Sequence, residues 1–383
     1  MKIRYMLLHA YGMGGTIRTV LNQANAMAAA GHDVEVISTV RRRDEPQFEI
    51  DPRVRLTALA DQRGGVRPDS VGRRAWRMMR GRLVPVGEFK AEYFTERVER
   101  AVIDYVSSLK DGILVTTRPA LNLISARRTP GSVVRIAQEH MNLGTYPETV
   151  RSDIARHYSR FDAVVTLTAS DRDDYRDLLP GTRVEWLPNA VATLGRTPSR
   201  QENPLVVAAG RLVGQKGFDM LIPAFKQVVA RNPEWSLRIF GTGPKKADLN
   251  ALIDEHGLAG NVTLMGRSDR LDQELAKASI YVLSSRFEGL PMVMIESMAH
   301  ALPIVAFDCP TGPGDVLTQE LDGLLVPGGD VEALASGVNR LIADRDLRVR
   351  MGAAAAATAL EYSPQKVMPM WESLFADVSA AAR

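Results

Sequence analysis

Two glutamates in the second half of the chain stand in a pattern that suits the binding of sugar hydroxyls. Glu288 lies in the polar loop sequence 284–291, and Glu296 follows among the apolar residues Met294, Ile295 and Met298. A carboxylate accepts hydrogen bonds from paired hydroxyls, which a sugar or a ribose presents. Either glutamate could instead be a helix cap or a surface charge, but the apolar neighbours of Glu296 make that alternative weaker for this residue.

The start of the helix after this loop is a second chemical feature. Pro291 suits a first helical turn, where its missing N–H costs nothing. The positive partial charge of a helix N-terminus then points at whatever ligand lies above it.

An arginine and a lysine lie in another loop between a strand and a helix. Arg211 follows Gly210, and Lys216 precedes Gly217. Arginine offers a bidentate fork and lysine a mobile point charge, so the two can converge on one diphosphate. Surface cations are common, and this pair alone is therefore weak evidence.

A glycine-rich loop, 12–15, follows the first strand-like segment. Glycines allow a ligand to approach the backbone, and a helix start offers unpaired N–H groups to an anion. A dinucleotide-binding fingerprint would need a further glycine at position 17, where the chain has Ile17. The loop therefore argues against an oxidoreductase, and a plain tight turn stays the alternative.

Alternating strand-like and helix-like segments predict how these loops are positioned. The predicted strands span 3–9, 34–39, 113–117, 133–137, 163–168 and 183–187, then 205–209, 236–240, 262–265, 280–283 and 303–307. The predicted helices span 16–30, 218–231, 245–256, 292–301, 331–344 and 364–378. This alternation is typical of parallel sheets covered by helices, in which ligands bind at the carboxyl ends of the strands.

The low periodicity of residues 192–204 predicts a linker between two doubly wound α/β domains. We expect a first domain over 1–190 and a second over 191–363. A terminal helix over 364–383 should return to the first domain, with Trp371 and Phe375 as packing residues.

The composition is that of an ordinary globular protein. Among 383 residues, 45% are hydrophobic and 24% charged, and the single cysteine, Cys309, excludes an internal disulfide framework. The N-terminal apolar stretch is too short for a signal peptide, and no apolar run reaches bilayer length. We therefore expect a cytoplasmic protein, whose membrane contact would be peripheral, on the inner face of the cell membrane.

One segment, Arg63–Lys90, is strongly basic. It contains Arg63, Arg67, Arg73, Arg74, Arg77, Arg80, Arg82 and Lys90 against only two acidic residues, Asp69 and Glu88. Such a segment can lie on anionic lipid or meet an anionic acceptor, and a solvated loop is an equal alternative. Nucleic-acid binding is not expected, because no recognised module accompanies the charge.

Taken together, these motifs resemble the large retaining glycosyltransferase family 4, one of the group 1 glycosyltransferases with the GT-B fold. The resemblance is carried by G-R-L-x-x-x-K-G at 210–217 and F-E-G-L-P-x-x-x-x-E at 287–296, and it covers most of the chain. Gly241–Pro244, Pro188-Asn189 and the first glycine loop agree with it. The stretch 308–313 is similar to members that act on cell-envelope polymers or lipid-linked sugars. The fold implied is two facing Rossmann-like domains.

The resemblance also implies roles for residues of the second domain. Arg211 and Lys216 would neutralise the donor diphosphate, Glu296 would bind the ribose, and Glu288 would contact the transferred sugar. The backbone around Gly289, Leu290 and Pro291 would hold hydroxyls or phosphate. The nucleobase would lie near Gly266 and Arg267.

In the first domain the resemblance implies that Gly14 and Gly15 face the phosphates. His140 matches a histidine that such enzymes place beside the transferred sugar. A lone histidine is usually structural, but one placed after a strand favours the site.

The function implied is transfer, with retention, of a hexosyl unit from a nucleotide-diphosphate sugar to a glycan, polymer or lipid-linked acceptor. A UDP-sugar is the default donor. No metal or other cofactor is expected, because Arg211, Lys216 and the helix start can stabilise the leaving group. Asp171-Arg172-Asp173 has the spacing of a metal-binding D-x-D motif but opens a charged helix. A sugar-nucleotide epimerase of the same fold and a non-catalytic nucleotide-sugar binding protein stay alternatives.

Overall fold

The computed structural model describes residues 1–66, 72, 83–191, 195 and 197–381. The chain forms two compact units. The first unit contains Met1–Ala190 and Val367–Arg383, and the second unit contains Val191–Lys366. The sequence predicts a first boundary after residue 190, and the chain divides after Ala190. The second predicted boundary is after residue 363, and the chain divides after Lys366.

The first unit is built on a seven-stranded sheet whose described pairs are all parallel. The strand order is β3-β2-β1-β4-β5-β6-β7. The strands are β1 (Lys2–Leu7), β2 (Asp33–Arg41), β3 (Arg55–Asp61), β4 (Ile113–Thr116), β5 (Val134–Gln138), β6 (Ala163–Thr166) and β7 (Val184–Trp186). Continuous buried runs such as β4 and β6 fit a parallel sheet that is covered on both faces.

Five described helices cover this sheet before the chain leaves the first unit. They are α1 (Gly15–Ala29), α2 (Glu96–Ser108), α3 (Pro119–Arg128), α4 (Glu148–His157) and α5 (Ala169–Leu178). The sequence analysis did not predict β3 or the helices α2 to α4. Strand β3 lies at the sheet edge and is mostly exposed, so it lacks an apolar run.

The second unit contains a six-stranded parallel sheet in the order β10-β9-β8-β11-β12-β13. Its strands are β8 (Leu205–Ala209), β9 (Ser236–Phe240), β10 (Val262–Gly266), β11 (Ile280–Leu283), β12 (Ile304–Asp308) and β13 (Gly323–Pro327). Its helices are α6 (Phe218–Val229), α7 (Lys246–Glu255), α8 (Leu271–Leu275), α9 (Met292–Ala299), α10 (Pro313–Val316), α11 (Val331–Ala343) and α12 (Arg345–Leu360). Strand β13 and the helices α8, α10 and α12 were not predicted.

The strand order reverses once in each sheet, between β1 and β4 in the first unit and between β8 and β11 in the second. In open parallel sheets ligands bind at such a switch point, beyond the carboxyl ends of the strands. The loops at 210–217 and 284–291 follow the two strands of the switch point in the second unit.

These two loops cross in direct contact at Gly217, which is the N-cap of α6 and has φ +62°. A Cβ at this position would lie 1.9 Å from the carbonyl oxygen of Ser284. The Ser284 hydroxyl also donates to the Lys216 carbonyl at 2.9 Å. Only glycine fits this crossing, because the contact with the Ser284 carbonyl excludes a side chain and the backbone angle disfavours one.

The last helix, α13 (Pro364–Ala381), packs into the core of the first unit. Trp371 and Phe375 are almost fully buried, with ring centroids 5.5 Å apart. They share a cluster with Ile3 and Tyr5 of the first strand. The C-terminal segment therefore completes a core that the N-terminal strand begins.

Most of the basic segment 63–90 lies outside the described residues. At its start, Arg63 forms ion pairs of 2.6 Å with both Asp44 and Asp61. At its end, the ammonium of Lys90 lies 3.9 Å from a carboxylate oxygen of Glu92. No helix in the described part of the chain is both long and apolar enough to cross a bilayer.

Replacing Trp371 by alanine should destabilise the first unit by about 3–5 kcal/mol, because a large buried ring leaves a cavity. Met370→Ala is the matched control, since Met370 is 40% exposed on the same helix. Urea unfolding followed by circular dichroism measures the difference. Equal stability of the two variants would contradict the packing of α13.

Gly217→Ala should destabilise the second unit by about 3 kcal/mol or more, because the new Cβ meets the backbone of Ser284. Gly257→Ala separates this contact from the cost of the backbone angle, since Gly257 has φ +69° and open space around it. The control should cost about 1–2 kcal/mol. Thermal unfolding of both variants checks the prediction, which a similar loss in both would contradict.

Candidate functional site

An ion pair joins the two loops at the switch point of the second unit. The Lys216 ammonium donates to the Glu288 carboxylate at 2.6 Å, and both side chains are largely buried. The Ser285 hydroxyl donates to the same carboxylate oxygen. The sequence assigned Lys216 and Glu288 to different parts of a ligand, whereas the structure brings them together.

The loop after β12 supports Glu288 from the other side. The Thr311 hydroxyl donates to the Glu288 carbonyl at 2.6 Å, and the Glu288 N–H points at the Pro310 carbonyl at 3.4 Å. Sequence reasoning noted the stretch 308–313 but gave it no contact with Glu288. The spacing of residues along the chain could not predict these hydrogen bonds, because they join two separate loops that follow neighbouring strands.

Arg211 is exposed and is held by one side chain. Its guanidinium donates to the Gln215 amide oxygen at 3.3 Å, and the Gln215 amide nitrogen donates to the Phe287 carbonyl at 3.0 Å. Gln215 thereby links Arg211 to the loop that carries Glu288. We did not single out Gln215 from the sequence.

Arg286 is a further cation of this loop that the sequence analysis did not assign. It forms a two-pronged contact with the Asp219 carboxylate, at 2.9 and 2.6 Å, and donates to the Gly214 carbonyl at 2.6 Å. Arg286 therefore fastens the loop to the start of α6. Its charge is paired with that of Asp219.

Glu296 lies inside α9 and is buried, with 8% of its surface exposed. Pro291 is the N-cap of this helix rather than its first helical residue, which is Met292. The helix begins where Gly289 and Leu290 end the loop, and no side chain caps it. The N–H groups of Met292 and Met294 are bonded to the carbonyls of Leu290 and Pro291, at 2.9 Å each, so a ligand at this end would meet the other backbone N–H groups.

Gly266 and Arg267 lie at the end of β10, near the edge of the same sheet. Gly266 has φ +74°, and its carbonyl accepts the Gly241 N–H at 2.8 Å. A Cβ at Gly241 would in turn lie 1.8 Å from the Gly210 carbonyl oxygen. The Gly241 loop thus connects the Gly266 turn to the loop of Arg211. The Arg267 guanidinium is exposed and pairs with Asp269 at 3.0 Å.

Cys309 lies beside the ion pair. It is buried, and burial together with the nearby Glu288 charge raises the pKa of its thiol to about 12. The thiol is therefore protonated at neutral pH and is not a nucleophile there.

In the first unit, Gly14 and Gly15 lie where β1 leads into α1. Gly14 is the N-cap, and its carbonyl accepts the Arg18 N–H at 3.0 Å. A Cβ at Gly15 would meet nothing within 4 Å. The described residues therefore leave room for a side chain at position 15.

His140 follows β5 and therefore lies, like Gly14 and Gly15, at the carboxyl ends of the strands of the first sheet. Burial lowers the pKa of its imidazole to about 4, so the ring is neutral at pH 7. Its Nε2 has no hydrogen-bond partner among the described residues. That nitrogen is also buried, so a substrate could exchange a hydrogen bond with it only once the atom is uncovered.

Glu139, which was not assigned from the sequence, lies next to His140 and is held by hydrogen bonds. Its carboxylate accepts hydrogen bonds from Asn122 at 2.7 Å, Tyr158 at 2.6 Å and Tyr146 at 2.8 Å. Burial raises the pKa of Glu139 to about 7 despite these bonds. The network fixes the backbone from which His140 projects.

Both carboxylates of the D-x-D sequence at 171–173 have partners within the protein. Asp171 accepts the Leu143 N–H at 2.7 Å, and Asp173 pairs with Arg172 at 2.9 Å. Across the described residues, no three His, Cys, Asp or Glu side chains are grouped as metal ligands would be.

Comparisons with solved structures identify the architecture. Sucrose-phosphate synthase from Thermosynechococcus elongatus superposes with a TM-score of 0.79 at 20% identity, covering 99% of both chains. S. aureus TarM superposes with a TM-score of 0.77 at 17% identity, covering 98% of this chain and all of that one. Two Rossmann-like α/β units of this kind form the GT-B fold, as predicted from the resemblance.

Curated relatives identify the family. The amylovoran biosynthesis glycosyltransferase AmsD of Erwinia amylovora is 30% identical over 252 residues, which are 62% of this chain and 69% of AmsD. An exopolysaccharide phosphotransferase of Streptomyces coelicolor is 32% identical over 99% of this chain, which spans only 41% of that protein. The family model described as "Glycosyl transferases group 1" matches residues 194–358, which include the Lys216–Glu288 pair and Glu296. The chain therefore belongs to the group 1 glycosyltransferases.

Proposed function

We propose that the chain is a retaining, metal-independent hexosyltransferase of family 4, which uses a nucleotide-diphosphate sugar as donor. The observation that carries this proposal is the Lys216–Glu288 ion pair at the switch point, with Arg211 linked to the same loop through Gln215. One cation and one carboxylate in contact suit a ligand that has a diphosphate next to a sugar.

A donor would exchange partners with this ion pair. Its diphosphate offers Lys216 and Arg211 a doubly charged partner, and its sugar hydroxyls offer Glu288 hydrogen-bond donors. Breaking the pair without such compensation would leave a largely buried carboxylate unpaired, which is costly. The site therefore favours a ligand that supplies both groups at once.

The remaining donor contacts are assigned to other elements of the second unit. We assign the ribose to Glu296 and the nucleobase to the turn at Gly266 and Arg267. The start of α9, at Gly289, Leu290 and Pro291, would hold phosphate or sugar hydroxyls through its backbone. A UDP-sugar is the proposed donor, and a solved neighbour of the same fold, Anabaena HepE, is described in complex with UDP and glucose.

The transfer step needs no protein nucleophile. The bond from the anomeric carbon to the diphosphate oxygen breaks, and an acceptor hydroxyl oxygen bonds to that carbon on the same face. The acceptor proton passes to the departing phosphate oxygen. Arg211, Lys216 and the start of α9 stabilise the charge that develops on the leaving group.

The proposed acceptor is a hydroxyl of a cell-envelope polymer or of a lipid-linked or other glycan. The relatives include an amylovoran biosynthesis enzyme, a poly(ribitol-phosphate) alpha-N-acetylglucosaminyltransferase of Staphylococcus aureus and a poly(glycerol-phosphate) alpha-glucosyltransferase of Bacillus subtilis. The roles of Gly14, Gly15 and His140 stay predictions from the resemblance. So do the cytoplasmic location and peripheral membrane contact.

Release of free nucleotide from UDP-, GDP- and TDP-sugars, measured with EDTA present, tests this function. We expect slow release from one donor class, and a loss of about tenfold or more in Glu296→Gln, because the ribose loses a charged hydrogen-bond partner. Glu274→Gln is the control, since it removes a carboxylate paired with Arg238 and Lys277 instead.

The outcomes separate the alternatives. Interconversion of the sugar without nucleotide release would indicate an epimerase. Calorimetric binding of a nucleotide sugar without turnover, even when glycan acceptors are added, would indicate a binding protein. Release that depends on added metal would overturn the metal-independent mechanism.

Glu288→Gln should move nucleotide binding and transfer in opposite directions. Without its carboxylate partner, Lys216 is released to the diphosphate, so affinity for free UDP should rise roughly tenfold. Transfer should fall at least about tenfold, because the sugar loses an acceptor for its hydroxyls.

Calorimetry with UDP and a transfer assay measure the two effects. Lys216→Ala should weaken UDP binding, and Glu274→Gln should leave it unchanged. Weaker UDP binding in Glu288→Gln would contradict the exchange of partners.

A further inference from the structure

Three consecutive arginines stand at the carboxyl end of β2 in the first unit. Arg41 ends the strand, and Arg42 and Arg43 are exposed after it. The Arg41 guanidinium lies 5.1 Å from the centre of the Tyr11 ring, and that of Arg42 lies 4.4 Å from the centre of the Tyr93 ring. We call these five residues the arginine surface.

Within the described part of the chain, the Asp61 carboxylate interacts with the charge of Arg41 without forming an ion pair with it, and Arg42 and Arg43 have no carboxylate in contact. Arg41 donates to the carbonyls of Arg43 and Asp44, and Arg42 donates to the Tyr93 hydroxyl. No described carboxylate forms an ion pair with any of the three. Since each guanidinium carries five N–H donors, most of their donors are available for an anion.

The neighbouring Arg63 shows the contrast. It lies against Asp44 and Asp61, which both pair with it at 2.6 Å. In the same region of the fold, Arg63 therefore forms two ion pairs, whereas Arg41, Arg42 and Arg43 form none with a described carboxylate. That distribution concentrates positive charge at residues 41–43.

The arginine surface lies at the ligand-binding edge of its sheet. Strand β2 pairs with β1, whose carboxyl end leads through His9 and Tyr11 to the glycine loop 12–15. The pKa of His9 is lowered by burial and also by the charges of Arg42 and Arg43, which places these guanidinium groups near the loop. A ligand bound at the arginine surface is therefore close to the switch point of the first unit.

Apolar surface accompanies the charge. The ring of Phe89 is 61% exposed, and the Lys90 ammonium lies 5.4 Å from its centre and 5.7 Å from the centre of the Tyr93 ring, which connects Phe89 to the arginine surface. Aromatic faces contact the C–H groups of sugars and polyols, while guanidinium forks match the geometry of phosphate.

We propose that the arginine surface binds the acceptor, and that this acceptor is a polymer whose repeating units are joined by phosphodiesters. The inference rests on the proposed function and adds the charge class of the acceptor to it. Consecutive arginines can each meet one phosphate of an extended chain, and Phe89 can lie against the carbon skeleton between phosphates.

An anionic membrane is the other partner that positive charge could serve, but the geometry favours the polymer. Contact with a lipid surface relies on mobile cations that spread over many headgroups. Arg41 and Arg42 are instead held by hydrogen bonds and by the faces of Tyr11 and Tyr93. Fixed guanidinium groups suit a ligand with a defined spacing of charges.

The test compares two double variants by fluorescence anisotropy with labelled oligomers. Arg42→Ala/Arg43→Ala removes charge from the arginine surface. Arg128→Ala/Arg156→Ala is the matched control, because both are exposed arginines at the ends of α3 and α4, at the opposite edge of the sheet. The probes are a poly(glycerol phosphate) oligomer and a neutral dextran of similar length.

We expect wild type to bind the phosphodiester oligomer more tightly than dextran, with an affinity that falls as salt increases. The arginine-surface variant should lose about tenfold or more, and the control about twofold or less. Arg42→Lys/Arg43→Lys should retain part of the binding, because it keeps the charge without the fork. UDP titration and thermal unfolding confirm that each variant is folded.

Three results would overturn the proposal. The first is equal binding of dextran and the phosphodiester oligomer, or binding of neither. The second is equal loss in both double variants. The third is that Arg42→Ala/Arg43→Ala loses binding to phosphatidylglycerol vesicles and still binds the oligomer as wild type does. That result would assign the surface to a membrane. If wild type binds a UDP-sugar but does not prefer the phosphodiester oligomer, only the inference about the acceptor is wrong. If wild type binds no nucleotide sugar, the proposed function itself is contradicted.

Discussion

The crossing of two loops at Gly217 and Ser284 is the constraint on which the second unit's site depends. The loops follow β8 and β11, adjacent strands on the two sides of the switch point, and they meet without a side chain between them. This contact brings Lys216 within 2.6 Å of Glu288, where Ser285, Thr311 and Pro310 hold the glutamate from its other sides. A largely buried ion pair contributes little net stability unless its hydrogen bonds are satisfied. Here the Ser285 hydroxyl satisfies part of that requirement, and an exchange of partners with a donor stays a proposal.

The architecture was predictable because local patterns agree with it. Glycine, strand and helix signals recur along both halves, and they gave two Rossmann-like units with a division near residue 190, as the structure shows. The missing elements have physical reasons. Helix α3 is buried from Pro119 to Ala126 and so shows no amphipathic period, and β3 is an exposed edge strand. Helix α2 is different: Val98, Val102 and Val106 mark its buried face at helical spacing, and the Thr95 cap precedes it. Its signal was present in the sequence and was missed.

The candidate site was predictable in its residue types but not in its contacts. Arg211, Lys216, Glu288 and Glu296 were identified by type and by motif, and their roles stay predictions. The partnership of Lys216 with Glu288 joins residues far apart in sequence, and chain spacing contains no information about it. Glu139 was overlooked because a single glutamate beside a histidine has no motif. Its importance comes from Asn122, Tyr146 and Tyr158, which only the fold assembles around it.

The return of α13 to the first unit has a consequence for biosynthesis. The second unit is one uninterrupted stretch, so all of its strands have been translated by the time Lys366 is added. The first unit is split, and Trp371 and Phe375 reach its core only after the whole second unit has been made. On a ribosome, the N-terminal strands must therefore wait with an unfilled groove beside Ile3 and Tyr5, while the later-synthesised unit can fold first. Folding in that order would be the reverse of the usual N-to-C sequence of domain folding. During that interval a chaperone that covers apolar surface would have its natural substrate in the first half of the nascent chain.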